Sequence, residues 1–138
     1  MSMLVKVTVE PRVIRVTSSG HFTLAEAEMT FLDVIAAVAL HKADKVLLDG
    51  RKVKGEPTII QRFYYSDFAA RTVAEYAAES GNPAPQFAYV LKEPVLDPNR
   101  FGEKVARNRG MNIRVFDDLE KALTWLELEN IESGKGDT

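Results

Sequence analysis

The sequence predicts a single-domain α/β protein with a mostly parallel five-stranded sheet, an N-terminal antiparallel hairpin and four helices. Short β-branched or continuous apolar runs alternate with longer segments of helical periodicity, which is the order of elements in an α/β sheet. The first two runs are separated by too few residues for a parallel crossover, so they pair as a hairpin. A chain of 138 residues that is 46% hydrophobic and 28% charged has enough apolar side chains for one core.

The predicted hairpin lies near the N-terminus. Residues 5–9 alternate valine with polar side chains, which is the period of a strand with one buried face. Pro11 breaks this pattern, and residues 13–17 form a second β-branched run. Residues 18–20, Ser-Ser-Gly, are expected to end the second strand.

A capping-box pattern predicts the start of the first helix at Thr23, with Glu26 three residues later. One apolar helical face then continues to about Leu40. The apolar run at residues 45–49 follows after a short link and is predicted to be a central strand covered on both faces. The order strand, helix, strand predicts that this strand is parallel to the one before the helix.

A basic segment follows the central strand. Asp49 and Gly50 supply turn chemistry, so residues 50–55 are expected to form a loop. Pro57 suits the first position of the second helix. Because free N–H groups at a helix start favour an anion, we expect a small anionic, amphipathic or lipid-like ligand here. The predicted ligand-binding residues are Arg51, Lys52, Lys54, Thr58 and Arg62. The alternative is a solvated loop, since lysine and arginine are mostly exposed.

The second helix is expected to run from Pro57 towards Ser80, with Gly81 as its stop. A second set of large side chains repeats at four-residue steps and drifts away from the core stripe, so we expect it to form a homodimer interface. The alternative is that the third helix or residues 93–99 cover this set. The predicted core stripe is Ile59, Phe63, Ala70, Val73, Ala74 and Ala77. The predicted interface is Ile60, Tyr64, Phe68 and Arg71.

The alternation of strands and helices continues to the C-terminal part. Residues 86–91 and 112–116 read as short strands bounded by turn residues. Asp97 is expected to cap a third helix that Gly110 ends, and Asp117 is expected to cap a fourth. These elements complete the five strands and four helices of the predicted sheet.

Composition argues against several classes of activity. Cysteine is absent and the histidines are His21 and His41 alone, so neither a thiolate nucleophile nor a metal centre built from cysteine and histidine is expected. The sequence has no phosphate-binding glycine motif and no nucleophile-elbow motif. A phosphorelay receiver needs an acidic pair after its first strand, for which Glu10-Pro11 is a poor substitute. We expect no enzyme activity, no metal and no cofactor.

Charge and hydropathy also bear on partners and location. The 18 basic and 20 acidic side chains are interspersed and give a net charge of −2, which does not favour a nucleic-acid partner. No apolar run has the length of a signal peptide or a membrane span, so we expect a cytoplasmic protein. We expect one domain over residues 1–132 and a flexible tail at residues 133–138, where few side chains are apolar.

Two acidic residues lie on or near apolar helical faces. Glu28 falls within the apolar arc of the first helix, and Asp67 lies at the inner edge of the second. A buried carboxylate with a shifted pKa is one sign of a functional site. We favour structural explanations, in which Glu28 projects into water and Asp67 pairs with Arg71 four residues later.

The complete order of elements, with VLLDGRKVKG at residues 46–55 and FGEKVARNRGMNIRVFDDLEKALTWL at residues 101–126, resembles the SpoIIAA-like group of STAS-type proteins. The resemblance covers nearly the whole chain and is more specific in its C-terminal half. It implies a β-α superhelix with a mostly parallel sheet and an antiparallel strand near the edge. It also implies a non-enzymatic role, since members act as regulatory partners or as proposed carriers of small molecules.

One difference from that group concerns a phosphorylation switch. In anti-sigma-factor antagonists, the loop after the central strand carries a serine at the next helix's N-terminus, which a partner kinase phosphorylates. The matching region here is Glu56-Pro57-Thr58, in which proline has no hydroxyl and Thr58 is expected within the first helical turn. A phosphate at a helix start is favourable, so a switch that uses Thr58 stays as the alternative function.

The sequence therefore predicts a STAS-type binding or regulatory protein that performs no chemistry. Its ligand or partner is expected near the loop after the central strand. The shape of the space above the sheet, between the second and third helices, distinguishes the two main roles. An enclosed apolar cavity favours a carrier, whereas a filled core with a flat outer face favours a protein partner.

Overall fold

A computed structural model describes residues 4–130 of the chain. The predicted tail at 133–138 lies outside this range. The strands are β1 (Leu4–Glu10), β2 (Val13–His21), β3 (Lys45–Lys54), β4 (Gln86–Val90) and β5 (Ile113–Phe116). The helices are α1 (Leu24–His41), α2 (Ile59–Ser80), α3 (Phe101–Asn108) and α4 (Leu119–Leu126).

The strands form one sheet in chain order, β1-β2-β3-β4-β5. β1 is antiparallel to β2, and every later pair is parallel. This mixed five-stranded sheet with four helices confirms the predicted fold class. No helix within residues 4–130 is long and apolar enough to cross a membrane.

Two apolar clusters hold the helices to opposite faces of the sheet. The main core joins Val16 and Leu48 of the sheet to buried side chains of α1, α2 and α3, among them Phe31 and Ala70. The second cluster joins Leu47, Ala88 and Val90 on the opposite face to α4. The ring of Phe31 lies 5.6 Å from that of Phe87 between centroids, at the centre of the main core.

Several predicted helix ends are confirmed. Thr23 is the N-cap of α1, and its hydroxyl accepts a hydrogen bond from the N–H of Glu26. Gly81 ends α2 with a φ of 74°, a left-handed conformation that glycine adopts without strain.

Asp67 pairs with Arg71 at 3.0 Å, as predicted, and also with Arg109 at 2.9 Å.

The prediction that β1 is half-buried is wrong. Val5, Val7 and Val9 are 42–44% exposed, although their partners across the hairpin face the main core. β1 is the edge strand and packs mainly on β2. The helices that bury Val16 therefore do not reach Val7, its direct partner in the hairpin.

The basic loop predicted after Asp49 is a strand. β3 continues to Lys54, and β2 continues to His21 instead of ending near Thr17. The two strands pair over this extension after a shift in register between Thr17 and Ser19. Residues with turn chemistry remain in the ladder because the neighbouring strand supplies hydrogen-bond partners for their backbone groups, and a bulge absorbs the irregularity.

The predicted core stripe of α2 is right at Ala70 and Val73, which are buried, and wrong at two other positions. Ile59 is 63% exposed and Ala74 is also exposed, whereas Phe68, assigned to the outer face, packs against the main core. The helical pattern assigned isoleucine to the core in preference to serine and tyrosine. The sheet and cavity below α2 accommodate polar atoms, so serine and tyrosine are buried there. The buried residues of α2 are Ser66, Ala69, Ala70, Val73 and Tyr76.

The starts of the other two helices differ slightly from the prediction. α3 begins at Phe101, and Asp97 accepts a hydrogen bond from the Phe101 N–H at 2.9 Å. α4 is capped by Asp118 and not by Asp117, because the Asp118 carboxylate accepts the N–H of Lys121 at 3.1 Å. The N-cap residue of α3 is Arg100, which makes no side-chain cap bond, so Asp97 acts from outside the helix. Both carboxylates suit the positive end of a helix dipole.

The exposure of β1 gives a matched test of the burial pattern. Val16→Ala should lower the free energy of unfolding by about 2 kcal/mol, because it removes fully buried methyl groups and leaves a cavity. Val7→Ala, directly opposite in the hairpin, should lower it by less than about 0.5 kcal/mol. Urea unfolding followed by circular dichroism measures both, and equal losses would contradict the assignment of Val7 to an uncovered edge.

Candidate functional site

A cavity of about 160 Å³, partly open to solvent, lies above the carboxyl ends of the parallel strands. Its floor includes Leu48, Tyr89 and Val115, which are register partners on three neighbouring strands. α1, α2 and α3 form its walls, and residues 91–100, here termed the covering segment, complete them. Parallel α/β sheets bind ligands at this end because the loops and helix starts meet there.

Apolar side chains form much of the cavity wall. They come from every element around it, so the space exists only in the folded chain. Polar and charged side chains, among them Tyr65, Tyr89, Arg62 and Glu103, complete the lining. The apolar lining residues are Phe22, Ala27, Leu48, Val53, Pro57, Leu91, Val95, Leu96, Ile113 and Val115.

Two tyrosine hydroxyls meet at the floor of the cavity. Tyr65 reaches down from α2 to Tyr89 on β4, and their oxygens are 2.5 Å apart in a hydrogen bond. The two rings are nearly perpendicular, and Tyr65 also makes an edge contact with Phe31. Their aromatic bodies therefore belong to the core while their hydroxyl ends border the cavity.

Burial keeps both tyrosines protonated. Removal from water raises the pKa of Tyr65 well above its usual value, and the negative charge of Glu28 raises that pKa further, although the hydrogen bond with Tyr89 opposes the shift. Burial also raises the pKa of Tyr89, with a further contribution from Tyr65. Both hydroxyls act as neutral hydrogen-bond groups at physiological pH, and neither is a base or nucleophile.

Arg62 fastens the covering segment to α2. Its Nη1 donates to the carbonyl of Val95 at 2.7 Å and its Nη2 to the carbonyl of Pro94 at 2.9 Å. Both carbonyls belong to a loop that has no regular backbone partners nearby, so the guanidinium supplies what a neighbouring strand would. Arg62, a predicted ligand-binding residue, lines the cavity and is anchored to the chain itself. A ligand-binding role for Arg62 stays a prediction.

Asp97 and Arg100 hold the other end of the covering segment. Asp97 accepts N–H groups from Asn99 and Phe101, and the Phe101 hydrogen bond is the main cause of a lowered pKa for this carboxylate. Arg100 donates to the carbonyl of Val115 and pairs with Glu103 at 3.6 Å. The charged groups of this segment are thus held by backbone hydrogen bonds and, for Arg100, by an ion pair with Glu103.

The predicted cations after the central strand lie away from this cavity. Arg51 makes a two-point ion pair with Asp49, with contacts of 2.9 and 2.7 Å. Arg51 and Lys52 border a separate, smaller depression, and Lys54 is exposed on the same strand. The structure brings Arg62 alone of the predicted cations to the cavity lining. A ligand-binding role for Arg51, Lys52 and Lys54 stays a prediction.

Thr58 lies at the N-cap of α2, and not within the first turn as predicted. Its hydroxyl accepts the N–H of Gln61 at 3.1 Å, and the Gln61 side chain accepts the N–H of Thr58 at 2.9 Å. This reciprocal capping box satisfies two N–H groups at the start of α2. The residue is exposed, and its neighbour Pro57 is buried against the cavity.

The predicted interface on α2 is divided by the fold. Ile60 and Tyr64 are 62% and 53% exposed, and Arg71 is exposed in its pair with Asp67. Phe68 is partly buried against the main core and does not extend the exposed row. Homodimer formation through Ile60, Tyr64 and Arg71 stays a prediction.

The sequence did not single out Tyr65 or Tyr89, and it named residues 93–99 only as an alternative cover for the outer face of α2. The signal in the sequence was the position of Tyr89 within an apolar strand run, because a buried phenolic hydroxyl needs a hydrogen-bond partner. Its partner is 24 residues away in sequence. Periodicity within one element does not predict which tyrosine on the neighbouring helix faces it.

No protein-family model and no curated protein matches this sequence. Among solved structures, the chain is similar to an anti-sigma factor antagonist from Mycobacterium paratuberculosis, with a TM-score of 0.58, 17% identity, and coverage of 91% of this chain and 95% of that one. Another similar structure is an uncharacterized protein of the DUF3478 family with a SpoIIAA-like fold from Shewanella loihica, with a TM-score of 0.49, 16% identity, and coverage of 91% and 94%. The likeness to the antagonist, with the sheet order above, confirms the predicted STAS-type, SpoIIAA-like fold.

The capping role of Asp97 predicts a dependence on acidic pH. Because its pKa is lower in the folded than in the unfolded chain, Asp97 stabilises the fold above the unfolded pKa of about 3.9, and this contribution is lost as pH falls through the lower folded value. Asp97→Asn should flatten that part of the stability curve between about pH 4 and pH 2. Urea titrations at several pH values measure it, with Asp33→Asn on α1 as the control. Identical curves for wild type and Asp97→Asn would contradict the role.

Proposed function

We propose that this chain, which has the fold of an anti-sigma factor antagonist, is a binding protein that performs no chemistry. It holds a small, largely apolar molecule in the cavity at the strand ends. The observation that carries the proposal is the cavity itself, enclosed by three helices and the covering segment above a floor of Leu48, Tyr89 and Val115. Well-packed cores of this size contain few voids larger than a water molecule. A largely apolar cavity of this size is therefore a departure that needs a reason.

The size of the cavity limits the ligand. A comparable apolar cavity of about 150 Å³ in another protein binds benzene, so about 160 Å³ suits a single ring or a short branched chain. Burial of such a body contributes roughly 25 cal/mol per Å² of apolar surface. The cavity is partly open to solvent, so a ligand can enter it, and its lining includes polar side chains. These features support a small amphipathic ligand in preference to a large lipid.

The arrangement of polar groups favours binding over catalysis. The tyrosines that reach the cavity are protonated, and Arg62 is held by two backbone carbonyls. Within residues 4–130, no three histidine, aspartate or glutamate side chains are grouped so as to hold a metal ion. Fixed donors and apolar walls orient a bound molecule, and they do not by themselves activate it.

Filling the cavity tests this function. Ala27 lines it from α1 and is 8% exposed. Ala27→Leu should reduce the binding of ethylbenzene or indole by at least about tenfold, since the new side chain occupies the same space, while stability is kept or raised. Isothermal titration calorimetry and amide NMR shifts measure the binding.

A matched control is available on the same helix. Ala39 is exposed on α1, so Ala39→Leu makes the same substitution away from the cavity and should leave binding unchanged. If neither probe binds the wild-type chain at millimolar concentration, or if Ala27→Leu binds as the wild type does, the cavity is not a binding site and the proposal is wrong.

The second candidate function is a phosphorylation switch at Thr58. The observation that favours it is the N-cap position: the hydroxyl is exposed at the start of α2, which is where the resemblance implies the phosphorylated serine of antagonists. The structural likeness to an anti-sigma factor antagonist is consistent with this role. A phosphate there faces free N–H groups and the positive end of the helix dipole. It also replaces the capping hydroxyl in its bond with Gln61.

Substitution of Thr58 separates a cap from a switch. Thr58→Ala should lower the free energy of unfolding by about 1 kcal/mol through loss of the cap, and Thr58→Asp should restore most of it. Thermal unfolding measures both. Phosphopeptide mass spectrometry of the chain purified from its own host then decides the switch: phosphorylated Thr58 supports it, and an unmodified peptide under all growth conditions contradicts it.

A further inference from the structure

The hydrogen bond between Tyr65 and Tyr89 leaves one hydroxyl hydrogen unused. Two hydroxyls carry two hydrogens, and the single bond between their oxygens uses one of them. Among the described residues, neither oxygen has a second hydrogen-bond partner. Whichever tyrosine donates to the other, one O–H remains without a protein acceptor.

The unused O–H borders an apolar space. Tyr89 is 8% exposed, and both tyrosines line the cavity beside Leu48 and Val115. Water that enters the partly open cavity can accept from this O–H, so a ligand that displaces the water without supplying an acceptor leaves the donor unsatisfied, which is unfavourable. A bound molecule that presents an acceptor oxygen at this point removes that penalty, whereas a purely apolar molecule does not.

The charges around the tyrosines favour a neutral acceptor. Glu28 raises the pKa of Tyr65, which means that its carboxylate disfavours a second negative charge at that position. Arg62 donates to two backbone carbonyls, and Arg100 is held by a carbonyl and by Glu103. A carboxylate ligand would therefore have to compete with these existing contacts for either cation.

We propose that the ligand is a small uncharged molecule with an apolar body and a carbonyl-type acceptor oxygen, and that the Tyr65–Tyr89 pair receives this oxygen as an O–H donor. The inference rests on the proposed function, in which the cavity binds a small apolar molecule. It adds the chemical class: an aromatic or short aliphatic ketone, aldehyde, ester or amide. The cavity volume of about 160 Å³ suits one ring that carries such a group.

Two probes of similar shape test the class. Acetophenone carries a carbonyl oxygen where ethylbenzene carries hydrogens. The ratio of their dissociation constants therefore depends on the hydrogen bond to this oxygen and on the difference in solvation of the two probes. The solvation difference is the same for every protein variant. Calorimetry on the full chain gives this ratio for wild type and for the double variant Tyr65→Phe/Tyr89→Phe. We expect the relative preference for acetophenone to fall roughly threefold to tenfold in the double variant, as for the loss of one neutral hydrogen bond.

The variants are chosen so that the fold survives. Replacing both partners of a buried hydrogen bond by apolar groups of the same shape is nearly neutral for stability, and the double variant should bind ethylbenzene at least as tightly as wild type. Each single variant retains one hydroxyl with its hydrogen, so it should keep most of the preference. Tyr64→Phe is the matched control, because Tyr64 is exposed on the same helix, and it should not change the ratio.

A measurement on the wild-type chain does not depend on any variant. The tyrosine Cζ NMR shift responds to hydrogen bonding of the hydroxyl, so acetophenone should move the signals of Tyr65 and Tyr89 differently from ethylbenzene and leave Tyr64 unchanged. Benzoate tests the charge, and should bind at least about tenfold more weakly than acetophenone.

The outcomes separate this inference from the proposed function. If neither acetophenone nor ethylbenzene binds wild type, the cavity is not a binding site and both proposals are wrong. If both bind but the ratio is the same in wild type and in the double variant, the cavity function stands and the carbonyl-acceptor inference is overturned. Benzoate binding more tightly than acetophenone overturns the choice of a neutral ligand.

Discussion

The parallel pairing of β2 to β5 is the constraint on which the rest of this structure depends. Strands that advance in one direction through a sheet require right-handed crossovers, and these place α1, α2 and α3 on the same face. α4 follows the last strand and covers the opposite face. The chain's connections at the carboxyl ends of the strands therefore converge on one edge, where three helices and a loop must enclose whatever lies above the sheet.

This convergence produces a cavity because the covering segment stands off from the sheet. Arg62 supports the middle of the segment through the carbonyls of Pro94 and Val95, and Asp97 fixes its far end at the start of α3. Close packing occurs elsewhere around it: a Cβ on Gly50 would lie 2.8 Å from a methyl carbon of Leu91, and one on Gly102 would lie 2.8 Å from the Ser66 hydroxyl. The elements meet at these contacts, and the space between them stays open over the tyrosines.

Much of the fold could be predicted from the sequence, and much less of the site. Element type and order depend on local signals such as the capping box at Thr23 and the glycine at 81, and these signals act within a few residues. Burial on β1 and part of the core stripe of α2 were predicted wrongly, because an alternating or helical pattern does not say whether another element covers the apolar side. The strand over residues 50–54 was missed for a related reason, since its ladder partners lie on β2.

By itself, the sequence determined the fold class, the hairpin, the parallel order and the absence of cysteine chemistry, because composition, periodicity and capping are properties of neighbouring residues. The tertiary structure alone decided where a ligand fits. Asp49 engages Arg51 within one strand, and the cavity is lined by Gly50 and Val53 of this basic stretch but not by its cations. The hydroxyls of Tyr65 and Tyr89 meet only when α2 packs across β4, and a hydrogen bond between residues distant in the chain depends on packing that no local pattern encodes.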